Sequence, residues 1–167
     1  MIIIIIGVSG CGKTSLGSGL ADRLGLRYFE ADSFHPAANI EKMSCGKPLN
    51  DEDRWPWLGA IRSRVAALQK EGQSAVFTCS ALKESYRAFL GEGLAEPVEW
   101  VYLKGTYEVI FDRMISRKDH YFKAEMLKSQ FADLEEPENA FIMDIEIPLK
   151  EKVNRLEKRF SPADNKK

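Results

Sequence analysis

The sequence predicts an α/β fold of three layers, in which a five-stranded parallel sheet lies between two layers of helices. Five apolar or β-rich stretches alternate with segments whose apolar residues recur at helical spacing, a pattern typical of βαβ units. The first stretch, Ile2 to Ile6, is all isoleucine, as expected of a strand buried on both faces of a parallel sheet. Ligands bind such sheets at the carboxyl ends of the strands, so residues that follow a strand are the candidates for function.

Four further strands and the helices between them follow in order. The strand candidates are Arg27 to Ala31, Ala75 to Cys79, Glu99 to Leu103 and Phe141 to Ile145. Helical spacing is seen in Leu16, Leu20 and Leu24; in Trp57, Ile61, Val65 and Leu68; in Val109, Ile110 and Met114; and in Leu149, Val153, Leu156 and Phe160. The stretch 32–53 is the least regular, and the tail from Ser161 is expected to fray. The length of 167 residues predicts one domain, 1–167.

Composition excludes several classes of protein. With 24 basic and 25 acidic residues the net charge is −1, so no basic field favours nucleic acid as a partner. No apolar run approaches the roughly 20 residues of a membrane span, and no secretory signal is recognisable, so we expect a cytoplasmic protein without membrane contact. Cys11, Cys45 and Cys79 form no C-x-x-C pair, which predicts reduced thiols rather than disulfides or a zinc site.

The segment after the first strand reads GVSGCGKT, from Gly7 to Thr14, and fits the phosphate-binding pattern GxxxxGK[ST]. Its glycines let the backbone N–H groups point inward, the Lys13 amine reaches the β- and γ-phosphates, and the Thr14 hydroxyl ligates Mg²⁺. Such a pattern arises by chance in roughly one chain in a hundred of this length, and the strand before it and helix after it make chance rarer. The predicted ATP-binding residues are Gly7, Val8, Ser9, Gly10, Cys11, Gly12, Lys13, Thr14 and Ser15. Oxidation of Cys11 could block ATP, although a passive small residue is the favoured interpretation.

Asp32 follows the second strand and should therefore lie at the same sheet edge as the phosphate loop. A small-molecule kinase needs a carboxylate near the hydroxyl group that accepts the phosphoryl group. We predict that Asp32 is this catalytic base, orients the acceptor hydroxyl and helps to hold the water shell of Mg²⁺. The alternative is a helix N-cap, and both roles could hold together. In a loose phosphoryl-transfer transition state the proton leaves late, so positioning should contribute more than basicity.

Several cationic or polar side chains are candidates for holding an anionic acceptor. They are His35, Arg54, Lys83 and Arg87. Each has a structural alternative: an ordinary loop residue for His35, a surface ion pair with Asp51 or Asp53 for Arg54, and a solvated basic helix face for Lys83 and Arg87.

Four groups of residues, in order and spacing, resemble the gluconate kinase family. They are the phosphate loop; His35-Pro36, Asn39-Ile40, Lys42-Met43, Gly46, Pro48-Leu49, Asp51, Asp53-Arg54 and Pro56-Trp57-Leu58; Cys79-Ser80-Ala81-Leu82-Lys83 with Tyr86-Arg87; and Arg117, His120, Phe122, Met126-Leu127, Ser129-Gln130-Phe131 and Leu134-Glu135. The resemblance covers the chain to about Pro137. Cys11 stands where the family usually has serine and Tyr121 where phenylalanine is common, and neither change removes a catalytic group.

The resemblance implies ATP-dependent phosphorylation of D-gluconate at its 6-hydroxyl, feeding the pentose phosphate and Entner–Doudoroff routes. It also implies the P-loop kinase fold of shikimate and nucleoside monophosphate kinases, with Mg²⁺, an acceptor-binding region at about 32–58 and a mobile lid at about 113–137. Relatives of this kind are often homodimers.

The lid region carries three further candidates. Arg113 and Arg117 share a helix face, and His120 follows them. Arg117 is predicted to stabilise charge on the triphosphate in the transition state, Arg113 to contact adenine, and His120 to bind the acceptor. An ion pair with Asp112 or Glu108 is the alternative for Arg113.

Two rival functions stay open at this stage. A related kinase could act on shikimate or a nucleoside monophosphate, although the third strand ends in Cys79-Ser80-Ala81 and not in the Gly-Gly-Gly turn of shikimate kinases. A nucleotide-binding regulatory protein would bind without acceptor-dependent turnover, and the guanine-specifying Asn-Lys-x-Asp motif is absent from the sequence.

Overall fold

The computed structural model describes residues 1–116 and 122–161, with the backbone alone for 122–124. The strands in this part of the chain are β1 (Ile2–Ile6), β2 (Arg27–Glu30), β3 (Ala75–Cys79), β4 (Glu99–Lys104) and β5 (Phe141–Asp144). The α-helices are α1 (Lys13–Leu24), α2 (Ala37–Ser44), α3 (Asp51–Lys70), α4 (Glu84–Gly91), α5 (Tyr107–Ile115), α6 (Phe122–Asp133) and α7 (Leu149–Phe160), and Ala31–Phe34 form a 3-10 turn.

The five strands form one parallel sheet, as predicted, and lie in the order β2-β3-β1-β4-β5. The central strand β1 pairs with β3 on one side and with β4 on the other. Its last residue, Ile6, lies opposite Cys79, the last residue of β3, so these two strands end at one level, whereas β4 continues for two residues beyond Tyr102, the partner of Ile6. Glu30 lies opposite Thr78 at the end of β2. The segments that follow β1, β2 and β3 therefore meet along one edge of the sheet.

Two apolar cores cover the two faces of the sheet. Because side chains alternate along a strand, Ile3 and Ile5 point to one face while Ile2, Ile4 and Ile6 point to the other. The first face packs on α1, α5, α6 and α7, and the second packs on α3 and α4. All five isoleucines are at most 1% exposed, and burying each contributes roughly 1.5–3 kcal/mol. The predicted three layers are confirmed, and β1 holds the following loop on a rigid base.

The stretch 32–53 is more regular than the sequence indicates. It contains the 3-10 turn, α2 and the start of α3, which begins six residues before the periodic Trp57. A capping box explains the early start: the Asn50 side chain accepts from the Asp53 N–H, and the Asp53 carboxylate accepts from the Asn50 N–H, both at 2.9 Å.

The last helix packs as predicted. Val153, Leu156 and Phe160 of α7 are buried against the core that contains α1, while Leu149 in its first turn is 45% exposed. The predicted frayed tail from Ser161 extends over 162–167, outside the described residues. Among residues 1–116 and 122–161, no helix is both long and apolar enough to cross a membrane.

Candidate active site

The phosphate loop lies between the end of β1 and the start of α1. Gly7, Gly10 and Gly12 have φ angles of 147°, 80° and 100°, a region that residues with a Cβ rarely adopt. A Cβ on Gly10 would also lie 2.7 Å from Cγ of Met114. Gly12 is the N-cap of α1, so the loop leads directly into the positive end of a helix. The strand, loop and helix context predicted from the sequence is confirmed.

The Lys13 amine folds back over this loop. Its Nζ donates to the carbonyl oxygens of Gly7 and Val8, both at 2.9 Å. These uncharged acceptors are weaker partners for an ammonium group than phosphate oxygens would be. Cys11 is fully buried behind the loop, as expected of a small packing residue.

Glu30, the last residue of β2, is a candidate site residue that sequence reasoning missed. Its carboxylate accepts from the Tyr28 hydroxyl at 2.6 Å and from Thr78 Oγ1 at 2.7 Å. Partial burial acts to raise the pKa of Glu30, but these hydrogen bonds, with further help from Thr14 and Lys13, place that pKa below its usual value. Glu30 is therefore an anion beside the Thr14 hydroxyl. Its position at the end of a parallel strand could have identified Glu30 from the sequence. Asp32, two residues later, has nearly the same position and was chosen instead.

A hydroxyl and a carboxylate at this position fit a magnesium ion. Mg²⁺ prefers oxygen ligands and keeps several waters, so Thr14 with Glu30 close by supplies a suitable donor set. Asp32, predicted to share this role, lies in the 3-10 turn with its side chain exposed at the same sheet edge. Its carboxylate is close enough to His35 for its charge to oppose the lowering of the His35 pKa by burial.

A cluster of polar side chains lies on α3 and at the start of α4. Arg54 Nη1 donates to the Tyr86 hydroxyl at 3.1 Å and lies 3.5 Å from Asp133 Oδ2. Lys83 Nζ donates to both carboxylate oxygens of Asp51, at 2.8 and 3.1 Å. The predicted alternative partners of Arg54 were Asp51 and Asp53, whereas the observed ion pair is with Asp133. Arg54, Lys83 and Tyr86 thus form one polar cluster.

His35 lies beside this cluster in a half-buried position. Its ring stacks on Trp57 at a centroid distance of 4.4 Å, and Asn39 Nδ2 lies 3.3 Å from Nδ1. Burial lowers the pKa of His35; the charge of Asp32 opposes the shift and that of Arg54 adds to it. His35 is therefore a neutral imidazole at pH 7, able to donate to or accept from a hydroxyl group.

The Arg87 side chain forms hydrogen bonds to the backbone of the loop that precedes its own helix. Its guanidinium donates to the carbonyl oxygens of Ala81 and Leu82, at 3.0 and 2.9 Å, and to the Glu84 carboxylate, and the residue is 5% exposed. It braces the turn in which Ala81 adopts a φ of +28° and which positions Lys83. Direct contact between Arg87 and a substrate stays a prediction.

Arg113 lies beside the segment that follows β5, the strand at the other edge of the sheet from β2. Its Nη2 donates to the Ile145 carbonyl at 3.2 Å, in the loop between β5 and α7. Lys152, which sequence reasoning missed, donates to the same carbonyl at 2.9 Å and is 6% exposed. Arg117 and His120 lie outside the described residues, as does part of the predicted lid.

Helix α6 joins the two sides. The Ser9 N–H of the phosphate loop donates to Gln130 Oε1 at 2.6 Å, and one turn further along the helix Asp133 pairs with Arg54. Residues three apart on a helix are neighbours, with Cβ atoms about 5–6 Å apart. The phosphate loop and the Arg54 cluster therefore face each other across a short distance, as a direct transfer between two bound molecules requires.

Comparison with known proteins agrees with this geometry. The family model described as shikimate kinase matches residues 9–158. The thermoresistant gluconokinase of Escherichia coli K12 is 42% identical over 152 residues, covering 89% of this chain and 86% of that protein. The gluconokinase of Gluconobacter oxydans is 46% identical over 136 residues, covering 81% of this chain and 75% of that protein.

Solved structures give the same picture. The crystal structure of a gluconokinase from Sinorhizobium meliloti 1021 matches with a TM-score of 0.82 at 38% identity, covering 94% of this chain and 93% of that one. A shikimate kinase from Bacteroides thetaiotaomicron shares the fold, with a TM-score of 0.64 at 17% identity over 95% of this chain and 97% of that one. The chain belongs to the gluconokinase family, within the shikimate kinase group of P-loop kinases.

Proposed function

We propose that the protein transfers the γ-phosphoryl group of ATP to the 6-hydroxyl of D-gluconate, giving 6-phospho-D-gluconate and ADP. One observation carries the proposal: a phosphate loop with its lysine and a cluster of cationic side chains face each other in a chain that is 42–46% identical to gluconokinases. Gluconate is a linear polyol with a carboxylate, and the cluster offers Arg54 and Lys83 for that carboxylate.

On the nucleotide side, phosphate oxygens of ATP replace the Gly7 and Val8 carbonyl oxygens as acceptors of the Lys13 ammonium group. The amine then neutralises charge on the β- and γ-phosphates, while backbone N–H groups of the loop bind the remaining oxygens. Thr14 and Glu30 would hold Mg²⁺, which supplies further neutralisation of phosphate charge. Arg113, whose guanidinium donates to the Ile145 carbonyl, is assigned to the adenine, and Arg117 keeps its predicted role over the triphosphate.

On the acceptor side, the residues orient a hydroxyl towards the γ-phosphorus. Arg54 and Lys83 bind the carboxylate at one end of gluconate, and neutral His35 binds hydroxyl groups along it. Asp32 orients the 6-hydroxyl and takes its proton as the new O–P bond forms and the bond to ADP breaks. Most of the acceleration comes from positioning and charge neutralisation, because the transition state is loose.

Acceptor-dependent ADP release from Mg-ATP tests the proposal. D-gluconate, shikimate, glucose and nucleoside monophosphates are compared with purified protein, and Lys13→Ala serves as the inactive control. A response to D-gluconate that Lys13→Ala abolishes is expected. A larger response to shikimate or a nucleoside monophosphate would favour the related kinases, and ATP binding without any acceptor response would favour a regulatory protein.

Two carboxylates in this proposal can be told apart by substitution. Glu30→Gln should raise the Mg²⁺ concentration needed for half-maximal rate, because it removes an anion beside Thr14. Asp32→Asn should lower kcat far more than it raises the Mg²⁺ requirement, because Asp32 is the proposed base and is predicted to act on Mg²⁺ only through the water shell of the ion. An Asp32→Asn enzyme with nearly normal kcat and gluconate affinity would rule out Asp32 as the base.

Arg54→Met tests the carboxylate contact. It should raise the KM for D-gluconate more than it lowers kcat, since a charged hydrogen bond in a partly buried site is worth about 1.5–3 kcal/mol. Arg62→Met is the matched control, because Arg62 lies on the same helix and pairs with Glu92, away from the cluster.

The cytoplasmic location and the homodimer stay predictions.

A further inference from the structure

Gln130 and Asp133, here called the α6 pair, each contact a residue that the proposed function assigns to a substrate. The Ser9 N–H donates to Gln130 Oε1 at 2.6 Å, and Gln130 Nε2 donates back to Ser9 Oγ at 3.0 Å. Asp133 Oδ2 lies 3.5 Å from Arg54 Nη1. The α6 pair is spaced three residues apart, so both side chains project from one face of the helix.

Each member of the pair resembles the group that a substrate would place there. The inward N–H groups of a phosphate loop bind phosphate oxygens. The partly negative Oε1 of Gln130 accepts from one of these N–H groups, that of Ser9. The Asp133 carboxylate is the same chemical group as the carboxylate of a sugar acid. Both sites are therefore filled in part by side chains of the protein itself.

We propose that the α6 pair acts as an internal occupant of both substrate sites and that displacement of one member promotes displacement of the other. A phosphate oxygen of ATP replaces Gln130 at Ser9, and the acceptor carboxylate replaces Asp133 at Arg54. Because both side chains belong to one helical turn, a shift that frees Ser9 also weakens the contact with Arg54. The identity of the acceptor in this inference rests on the proposed function.

The geometry favours replacement of the Asp133 carboxylate at Arg54 by a carboxylate of the substrate. The Asp133–Arg54 separation of 3.5 Å is longer than a direct charged hydrogen bond, so a carboxylate that binds the guanidinium at 2.7–2.9 Å would replace it favourably. Just beyond α6 the chain is anchored, because the Glu135 N–H donates to the Leu82 carbonyl at 3.0 Å. A displacement of the α6 pair would therefore turn about this anchored end of the helix.

Binding calorimetry tests this coupling without turnover. The dissociation constants of D-gluconate and of the Mg²⁺ complex of adenylyl imidodiphosphate are measured for each ligand alone and with the other saturating. In the unmodified protein each ligand should tighten the other by about 5-fold or more, and by the same factor in both directions.

The variants predict distinct changes. Gln130→Ala should tighten nucleotide binding in the absence of gluconate by about 2- to 10-fold, because no hydrogen bond to Ser9 has to break. Asp133→Asn should tighten gluconate binding in the absence of nucleotide by a similar factor. In both variants the coupling should fall towards 1-fold, and the control Lys128→Ala, exposed on the same helix, should behave like the unmodified protein.

The inference is overturned if the unmodified protein shows no coupling or if both variants retain full coupling. Circular dichroism melts establish that the variants are folded. If D-gluconate fails to bind at all, the proposed function fails, and the nucleotide titration of Gln130→Ala still decides whether Gln130 competes with phosphate. Unchanged nucleotide affinity in that titration would reject the competition.

Discussion

Replacing Thr78 with valine tests the hydrogen-bonded support of Glu30. Thr78 is fully buried, its Oγ1 donates to Glu30 Oε1 at 2.7 Å, and the same atom lies 2.9 Å from the Tyr28 hydroxyl. Valine keeps the shape of threonine, so the substitution removes the hydroxyl without opening a cavity. A hydrogen bond to a charged group contributes about 1.5–3 kcal/mol, and the partial exposure of Glu30 favours the lower end, about 1.5 kcal/mol.

The effect should depend on pH in a defined direction. The hydrogen bonds contribute to placing the pKa of Glu30 below its unfolded value of 4.5, although burial opposes them. A depressed carboxylate pKa gives stability that is present above pH 4.5 and is lost as pH falls through the folded pKa. Thr78→Val should therefore cost most at pH 7 and progressively less below pH 4.5.

Urea unfolding at pH 7 and pH 4 measures these differences. Tyr28→Phe removes the second donor to Glu30, at 2.6 Å, and should also destabilise the fold at pH 7. Tyr107→Phe is the control, since the Tyr107 ring packs on Phe111 and Phe131 and the change should stay within about 0.5 kcal/mol. A loss below 0.5 kcal/mol for Thr78→Val at pH 7, or one that grows on acidification, would refute the reasoning.

Two further predictions follow from burial and backbone geometry. Burial lowers the pKa of His35 below 6.5, so the contribution of the neutral ring to folding stability is complete above pH 6.5 and is lost as the pH falls. His35→Gln should therefore flatten the pH dependence of stability, which urea unfolding at pH 7.5 and 5.5 would detect. Gly10→Ala should destabilise the fold by about 1–2 kcal/mol, because its φ is +80° and the new Cβ would lie 2.7 Å from Met114 Cγ. Gly59→Ala, in the open interior of α3, should instead stabilise by about 0.5–1 kcal/mol, and a melt showing equal effects at both glycines would contradict this account.

The strands and the phosphate loop could be predicted because their signals are local. Five successive isoleucines favour a buried strand wherever they occur, and the contiguous residues Gly7 to Thr14 carry their own geometry. The start of α3 was missed because a capping box at Asn50 and Asp53 lies outside the apolar periodicity. It was nevertheless a short-range feature that the sequence contains.

The roles within the acceptor region needed the folded structure. Lys83 and Arg87 look equivalent in sequence, four residues apart, yet Arg87 is buried on the Ala81 and Leu82 carbonyls while Lys83 reaches Asp51 on α3. The difference depends on how α4 leaves β3 and packs on α3, which no spacing rule encodes.

The sequence by itself determined the family, the order of the strands along the chain and the nucleotide loop, because these depend on neighbouring residues and short periods. Only the tertiary structure decided that Glu30 lies beside Thr14, that Asp133 pairs with Arg54 and that Gln130 reaches Ser9. Those contacts join residues distant in sequence, and packing of helices and strands around the sheet selects them from many charged and polar groups of equal local plausibility.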